Sequence, residues 1–297
     1  MKKPVFTGVC TAMITPFRNG SVDLKKVDEL LEFQHSQGVQ AICVCGTTGE
    51  ASTMSDREQL DLIAHTVKRC DGRIRVIAGT GSNCTEHAVH KSRIAASMGA
   101  DAVLCVTPYY NKADEGGLIA HYSLIAEAAE IPVILYNVPS RTGVDIPIPV
   151  YQALSKVPNI AGIKEASASI TKAAQILAAC GEDLTLWSGN DDMIVPMMAL
   201  GAKGVISVLS NLCPAQTIAM TGACECGHYQ TAGKLQCRAM SLIEALFSEV
   251  NPIPIKEAMN LAGFDVGEPR LPLCRMAEDK QKMLISALED LRLIQPS

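Results

Sequence analysis

A lysine that follows a short apolar run is the first residue whose position suggests chemistry. Lys164 comes directly after the apolar residues 160–163 in the stretch NIAGIKEAS. A dry surrounding disfavours the ammonium form and frees some neutral amine, which attack on a carbonyl carbon requires. The alternative is a lysine whose aliphatic part is buried and whose ammonium group reaches water. Pairing with Glu165 is awkward, because successive strand residues face opposite ways. The strand pattern alone leaves both interpretations open.

Hydroxyl side chains could supply the proton transfers that such an amine needs. Thr47 and Thr48 lie in GTTGE, Tyr110 lies in PYYNK, and Tyr136 lies in YNVPSRTG, all at the ends of strand-like runs. Imine formation expels water, and a later carbon nucleophile gains and loses protons, so groups that both donate and accept are required. The alternative for either tyrosine is simple packing with a satisfied hydroxyl.

Groups that suit anions stand in the same loops. Glycines flank the two threonines of GTTGE, and they let backbone amides approach a carboxylate closely. Arg141, in PSRTG, could hold a second carboxylate or could be an ordinary exposed loop arginine. Ser55 and Glu58 match a capping box that begins a helix. The stretch CECGH at residues 224–228 lacks the ligand spacing of a zinc site.

Strand-like and helix-like stretches alternate along most of the chain. Eight apolar runs are typical of parallel strands covered on both faces: GVCTAMITPF, AICVCG, RVIAGTG, AVLCVTP, VILYNVP, IAGIKEA, LTLWSGN and GVISVLS. Helical periods are predicted between them over residues 24–37, 57–70, 85–98, 116–129, 147–155, 170–180 and 192–200. Eight such βα units predict a (β/α)8 barrel of the TIM type, whereas about five or six would suggest an open sheet.

The barrel would bring the reactive side chains to one face, because strand carboxyl ends meet there. From about residue 214 onward only helical periods remain. We therefore predict a barrel domain at residues 1–227 and a C-terminal helical domain, a three-helix appendage, at residues 228–297. Within the appendage, NPIPIKEAMN is expected to begin a helix, with Lys256 as a solvated helix residue. Trp187 is expected in the core near the floor of the pocket.

The composition excludes several functional classes. The chain has 297 residues, 48% of them hydrophobic and 19% charged, with a net charge of -5, which is typical of a compact globular protein. Its scattered lysines and arginines form no patch for nucleic acid or a membrane, so small molecules are the expected partners. The start, MKKPVFTGVC, lacks the features of a signal peptide. The 12 cysteines, many of them in strands, then predict reduced thiols and a cytoplasmic location.

Six motifs in order make the chain resemble the 4-hydroxy-tetrahydrodipicolinate synthase family, within the pyruvate-dependent N-acetylneuraminate lyase superfamily. They are GTTGE at 46–50, YYNK at 109–112, YNVPSRTG at 136–143, GIKEAS at 162–167, SGND at 188–191 and GVIS at 204–207. The resemblance extends over nearly the whole chain, including the helical tail. It implies a lyase that condenses pyruvate with L-aspartate semialdehyde through a lysine Schiff base, as the committed step of diaminopimelate and lysine biosynthesis. No metal or organic cofactor is implied.

The resemblance also implies roles for the reactive residues. Lys164 would form the imine with pyruvate, and Tyr136 would exchange protons with Tyr110 through Thr47. Tyr110 would cross a tight dimer interface into the neighbouring site, within a homotetramer that is a dimer of dimers. Dimerisation would then be part of catalysis.

Substrate-binding roles are implied for four more positions. Thr48 and the adjacent amides would hold the pyruvate carboxylate, and Arg141 would bind the carboxylate of the semialdehyde. Ile206, through its carbonyl, and Gly189 would line the pocket.

Regulation is expected to depart from that of lysine-inhibited members of the family, which bind lysine at the dimer interface. The matching stretches supply Ser52, Asp56, Gln59, Asn83, His87 and Tyr109. Ser52, Asn83 and Tyr109 could serve as an allosteric site. Asp56 and Gln59 stand about where inhibited members have histidine, and His87 stands about where they have glutamate. Feedback inhibition by lysine is therefore expected to be weak or absent.

Two other functions stay open. A sibling aldolase would form or cleave sugar acids through the same imine, but a polyhydroxylated substrate calls for hydroxyl-binding side chains where Arg141 stands. A catalytically silent barrel would be expected to have lost the lysine or a tyrosine, and neither is lost.

Overall fold

The centre of the protein is a closed barrel in the computed structural model, which describes residues 2–295. Within that range, eight parallel strands follow one another around the barrel in chain order. They are β1 (Gly8–Ala12), β2 (Ala41–Val44), β3 (Arg75–Gly79), β4 (Ala102–Val106), β5 (Val133–Asn137), β6 (Ile160–Glu165), β7 (Thr185–Ser188) and β8 (Gly204–Ser207). The first strand pairs with both β2 and β8, which closes the ring. The predicted (β/α)8 fold is confirmed.

A helix follows each strand and covers the outside of the barrel. These helices are α1 (Leu24–Ser36), α2 (Asp56–Cys70), α3 (Thr85–Ser97), α4 (Glu115–Ala129), α5 (Ile148–Leu154), α6 (Ile170–Cys180), α7 (Ile194–Leu200) and α8 (Pro214–Glu225). Local sequence sets their starts: the Asp23 side chain accepts from the Lys26 amide before α1, and Ser55 and Glu58 form the predicted capping box before α2. A one-turn helix, Pro139–Thr142, follows β5, and a short hairpin pairs Phe17–Arg18 with Ser21–Val22.

Two apolar layers hold the barrel together. The outer layer lies between strands and helices, and the inner layer fills the barrel itself. In the inner layer Trp187 is fully buried and stacks on Phe6, with ring centroids 4.9 Å apart. Its indole Nε1 donates to the carbonyl of Phe6 at 3.2 Å. On the next strand Lys164 is its register partner, so the predicted place of Trp187 in the core near the pocket is confirmed.

A C-terminal group of helices packs against one side of the barrel. After α8 come α9 (Tyr229–Leu246), α10 (Ile253–Leu261) and α11 (Glu278–Asp290). The long α9 packs against α7 and α8, and it also contacts α10 and α11. The predicted helical tail is confirmed, while its division from the barrel at residue 227 stays a prediction. Within residues 2–295, no helix combines the length and hydropathy needed to cross a membrane.

One prediction for this tail is wrong. Lys256 was expected to be solvated, but α10 is buried nearly all round, including Ile255, Ala258 and Met259, and so is Lys256 itself. Its ammonium lies 2.6 Å from a carboxylate oxygen of Glu50, just beyond β2. A charged side chain inside an apolar environment needs such a partner. The helix therefore touches the loop that carries the two threonines.

Candidate active site

Lys164 and Tyr136 lie side by side at the carboxyl ends of two neighbouring strands. The residues are register partners on β6 and β5, so their side chains lie on the same face of the sheet, and Tyr136 belongs to the inner apolar layer. The Lys164 Nζ lies 4.4 Å from the centroid of the Tyr136 ring. Only 6% of Lys164 and 7% of Tyr136 is exposed. A buried amine thus lies against a phenol, as nucleophilic attack with nearby proton transfer requires.

Two further predicted residues surround this pair. A Cβ atom placed on Gly189 would lie 2.6 Å from Cβ of Ala166 and 3.1 Å from Cγ of Lys164, so a larger residue there would push against the aliphatic part of the lysine. Ile206 lies on β8 and is fully buried in the same interior cluster as Tyr136. The structure therefore brings Lys164, Tyr136, Gly189 and Ile206 together.

A buried acidic side chain, Asp191, interacts electrostatically with Lys164. Asp191 accepts from the Ser207 hydroxyl at 2.5 Å and from the amides of Val208 and Leu209 at 3.0 and 2.9 Å. Burial raises the pKa of Asp191, whereas these hydrogen bonds and the charge of Lys164 lower it. Asp191 therefore connects the end of β8 with the turn that follows this strand.

Glu165, the neighbour of the lysine, faces away from the pocket as predicted. It accepts from the Ser167 amide at 2.7 Å and from the Asn137 amide group at 3.0 Å. The Tyr151 hydroxyl donates to it at 3.4 Å from α5. Burial raises the pKa of Glu165, and the hydrogen bonds oppose that shift. These contacts on the helix side fix the end of β6 and hold the Glu165 carboxylate away from the Lys164 amine.

Asn251, at the start of the tail helix α10, connects the threonine turn to Arg141. Its side-chain amide donates to the Thr48 hydroxyl oxygen at 2.9 Å, and its carbonyl accepts from Arg141 Nη2 at 3.1 Å. Because the Thr48 oxygen accepts this bond, its hydrogen remains available to an anion. Sequence reasoning missed Asn251, because Thr48 and Asn251 are 203 residues apart and no local pattern links them.

A cavity of about 500 Å³ opens beside Tyr136 and Arg141, and Lys164 and Thr48 are not among the residues that line it. Its walls include Thr47, Tyr136 and Arg141 from the predicted catalytic and substrate-binding set. They also include the residues considered for allostery, which are Ser52, Asp56, Gln59, Asn83, His87 and Tyr109. The volume suits a small organic ligand rather than a macromolecule.

Of the four predicted catalytic residues, Tyr110 is the one that the chain does not bring inward. It follows β4 with a left-handed backbone, φ 73°, and its side chain is 89% exposed. The neighbouring Tyr109 is 40% exposed, so two adjacent aromatic side chains stand at this surface. The role of Tyr110 in proton transfer stays a prediction.

Comparison with known proteins agrees with this geometry. Residues 5–291 match the model of the dihydrodipicolinate synthetase family. A 4-hydroxy-tetrahydrodipicolinate synthase of Acetivibrio thermocellus is 49% identical over 99% of this chain and 100% of its own length. Two solved dihydrodipicolinate synthases are also similar. The Acinetobacter baumannii enzyme, complexed with pyruvate, is 40% identical with a TM-score of 0.94 over 97% of this chain and 99% of that one. The Cyanidioschyzon merolae enzyme, with lysine bound, is 38% identical with a TM-score of 0.95 over 98% and 100%. The chain belongs to the dihydrodipicolinate synthetase family.

Proposed function

We propose that the chain condenses pyruvate with L-aspartate semialdehyde to give 4-hydroxy-tetrahydrodipicolinate, the committed step of diaminopimelate and lysine biosynthesis. The observation that carries this proposal is the buried Lys164 amine, 4.4 Å from the Tyr136 ring at the mouth of the barrel. Family membership and the pyruvate complex of the Acinetobacter relative support it.

The reaction begins with attack of the Lys164 amine on the ketone carbon of pyruvate. The carbinolamine loses water as a proton reaches its hydroxyl, and the imine forms. Tyr136 is the donor in this step, with Thr47 and the Tyr110 of a neighbouring subunit completing the path to solvent. The Thr48 hydroxyl, held by Asn251, donates to the pyruvate carboxylate. We place Gly189 and Ile206 in the wall of the pocket that holds the adduct.

The imine then loses a methyl proton and becomes an enamine, whose carbon attacks the aldehyde of the semialdehyde. Arg141 binds that substrate's carboxylate, and its guanidinium is already held by the Asn251 carbonyl at 3.1 Å. The amine of the condensed substrate attacks the imine carbon, closes the ring and expels Lys164. Lys164 provides the electron sink through its imine.

Trapping the imine tests this function directly. Incubation with pyruvate and borohydride is expected to add one pyruvate, minus water and plus two hydrogens, to Lys164 and to abolish condensation activity. Peptide mass mapping locates the adduct. The Lys164→Ala protein is expected to give no adduct, whereas Lys203→Ala, at an exposed lysine, is expected to react normally. An adduct that persists in Lys164→Ala would contradict the proposal, as would faster condensation with sugar-acid precursors than with the semialdehyde.

Replacement of Arg141 separates the two substrates. Arg141→Ala is expected to raise KM for the semialdehyde by about ten- to a hundredfold, because a charge-assisted bidentate bond is lost. KM for pyruvate is expected to change far less. Steady-state kinetics with each substrate varied in turn measure both values. Arg57→Ala, at an arginine 91% exposed on α2, is the control. Equal effects on the two KM values would contradict the assigned role.

We also infer an oligomer, a homotetramer built as a dimer of dimers, that acts in the cytoplasm. The exposed Tyr110 supports an interface at this face, since a neighbouring subunit would cover it. Eight of the twelve free thiols are buried, where they behave as small hydrophobic groups.

Weak inhibition by lysine remains the expected regulation. Lys91 places its own ammonium in the wall of the cavity, where it donates to Gln59 at 3.2 Å and lies 3.9 Å from Asp56. A second ammonium entering beside it would meet like charge. The Cyanidioschyzon relative with lysine bound is the natural comparison.

A further inference from the structure

A buried ion pair joins the C-terminal helices to the turn that carries the threonines. Lys256 Nζ lies 2.6 Å from Glu50 Oε1, and each side chain is 1% exposed. The same ammonium lies 4.3 Å from the centroid of the Phe17 ring. Desolvation of two charges offsets much of their attraction, so a buried pair is weak evidence for a purely stabilising role. The position of the pair is therefore more informative than its energy.

Both carboxylate oxygens of Glu50 contact a group in the C-terminal part of the chain. Besides Lys256 on Oε1, its Oε2 accepts from the backbone amide of Arg270 at 2.8 Å. Arg270 in turn donates to Glu58 at the start of α2. The carboxylate is thus one of the points where the tail and the segment after β2 meet, together with the contact of Asn251 with Thr48.

The backbone of Glu50 links the contacts of its side chain to the turn that contains Thr47 and Thr48. Glu50 adopts a left-handed conformation, φ 54° and ψ 35°, which is uncommon for a residue with a Cβ atom and persists where the surroundings impose it. Its amide donates to the Thr47 carbonyl at 3.1 Å, which closes the turn. Movement of Glu50 would therefore displace Thr47 and Thr48.

We propose that Glu50 and Lys256 are positioning residues, which hold the turn after β2 so that Thr48 and its adjacent amides face the carboxylate of pyruvate. The inference rests on the proposed function and deepens it. Neither side chain touches the substrate in this role. Their loss is expected to weaken recognition of the carboxylate, whereas the chemistry of the Lys164 amine is retained.

The experiment compares two ketones that differ only in the carboxylate. Rates of borohydride trapping at Lys164 are measured for pyruvate and for methyl pyruvate, whose ester lacks the negative charge. In Glu50→Gln and Lys256→Met the pyruvate rate is expected to fall by on the order of ten- to a hundredfold, as misplacement of a binding group does. The methyl pyruvate rate is expected to change little. The readout is therefore the ratio of the pyruvate rate to the methyl pyruvate rate, and this ratio is expected to fall.

A control separates positioning from general loss of stability. Leu284→Ala removes a fully buried side chain from α11, in the same group of helices, without touching the turn. It is expected to lower the unfolding temperature and leave the ratio unchanged. A Glu50→Gln protein that loses stability with an unchanged ratio would overturn the proposal.

If Glu50→Gln fails to fold, a milder substitution at the same position still tests the proposal. Glu50→Asp keeps the charge and shortens the side chain by one methylene, so that the carboxylate no longer reaches both of its partners; a lowered ratio is expected, and an unchanged ratio would overturn the proposal. Failure of the proposed function itself is distinguishable, because the unaltered protein would then form no pyruvate adduct at Lys164.

Discussion

Replacement of Tyr136 by phenylalanine is expected to slow condensation by about a hundredfold to ten-thousandfold, the range that a positioned proton donor contributes. The substitution removes only the hydroxyl. The ring, 7% exposed and 4.4 Å from Lys164 Nζ at its centroid, keeps its packing, so the fold is expected to be unchanged. Turnover with both substrates, together with the single-turnover rate of imine trapping, measures the effect on each step.

Tyr122→Phe is the matched control for this prediction. Tyr122 is fully buried on α4, and its hydroxyl donates to the Cys105 carbonyl at 3.4 Å on the helix side of the barrel. Its removal is expected to alter stability and not turnover. Similar losses of turnover in the two variants would show that Tyr136 acts by packing alone.

Mixed oligomers of two inactive proteins are expected to regain activity. Lys164→Ala lacks the nucleophile, and Tyr110→Phe lacks the hydroxyl that we place in the neighbouring subunit's site. In a mixed dimer, one site combines an intact Lys164 with an intact Tyr110 from its partner. Random pairing gives half mixed dimers with one working site of two, so co-refolded chains are expected to reach roughly a quarter of unaltered activity.

The control for complementation is a mixture of Lys164→Ala with Tyr136→Phe. Both residues lie on adjacent strands of one barrel, so no mixed dimer contains a complete site. This mixture is expected to stay inactive. Absence of recovery in the Tyr110 mixture as well would place Tyr110 in its own subunit's site, or outside any site.

The barrel and its reactive end were predictable because they depend on local pattern. Apolar runs in the sequence predicted the strands. Because all the strands run in one direction, Lys164 and Tyr136 were expected at the same end of the barrel, and they lie there as neighbours. The predicted helix bounds agree with the structure to within two residues. The alternation of side chains along a strand was sufficient to predict that Glu165 faces the helices.

The contacts made by the tail were not predictable in the same way. Asn251 contacts Thr48, and Lys256 contacts Glu50, but a helical period does not say which distant loop a helix will meet. One signal was present: Ile253 and Met259 stand three positions before and after Lys256, so the lysine lies on the apolar side of its helix. A lysine in such a helix needs a buried partner. The identity of the partner depends on the folded chain.

The single tryptophan of the chain gives the protein an intrinsic optical reporter. Trp187 is fully buried, stacked on Phe6, and the register partner of Lys164 on the next strand. Any tryptophan fluorescence of the protein therefore comes from one indole next to the reacting lysine. We expect a change in this fluorescence when pyruvate is added to the unlabelled protein, as a real-time signal of imine formation that needs no coupling enzyme.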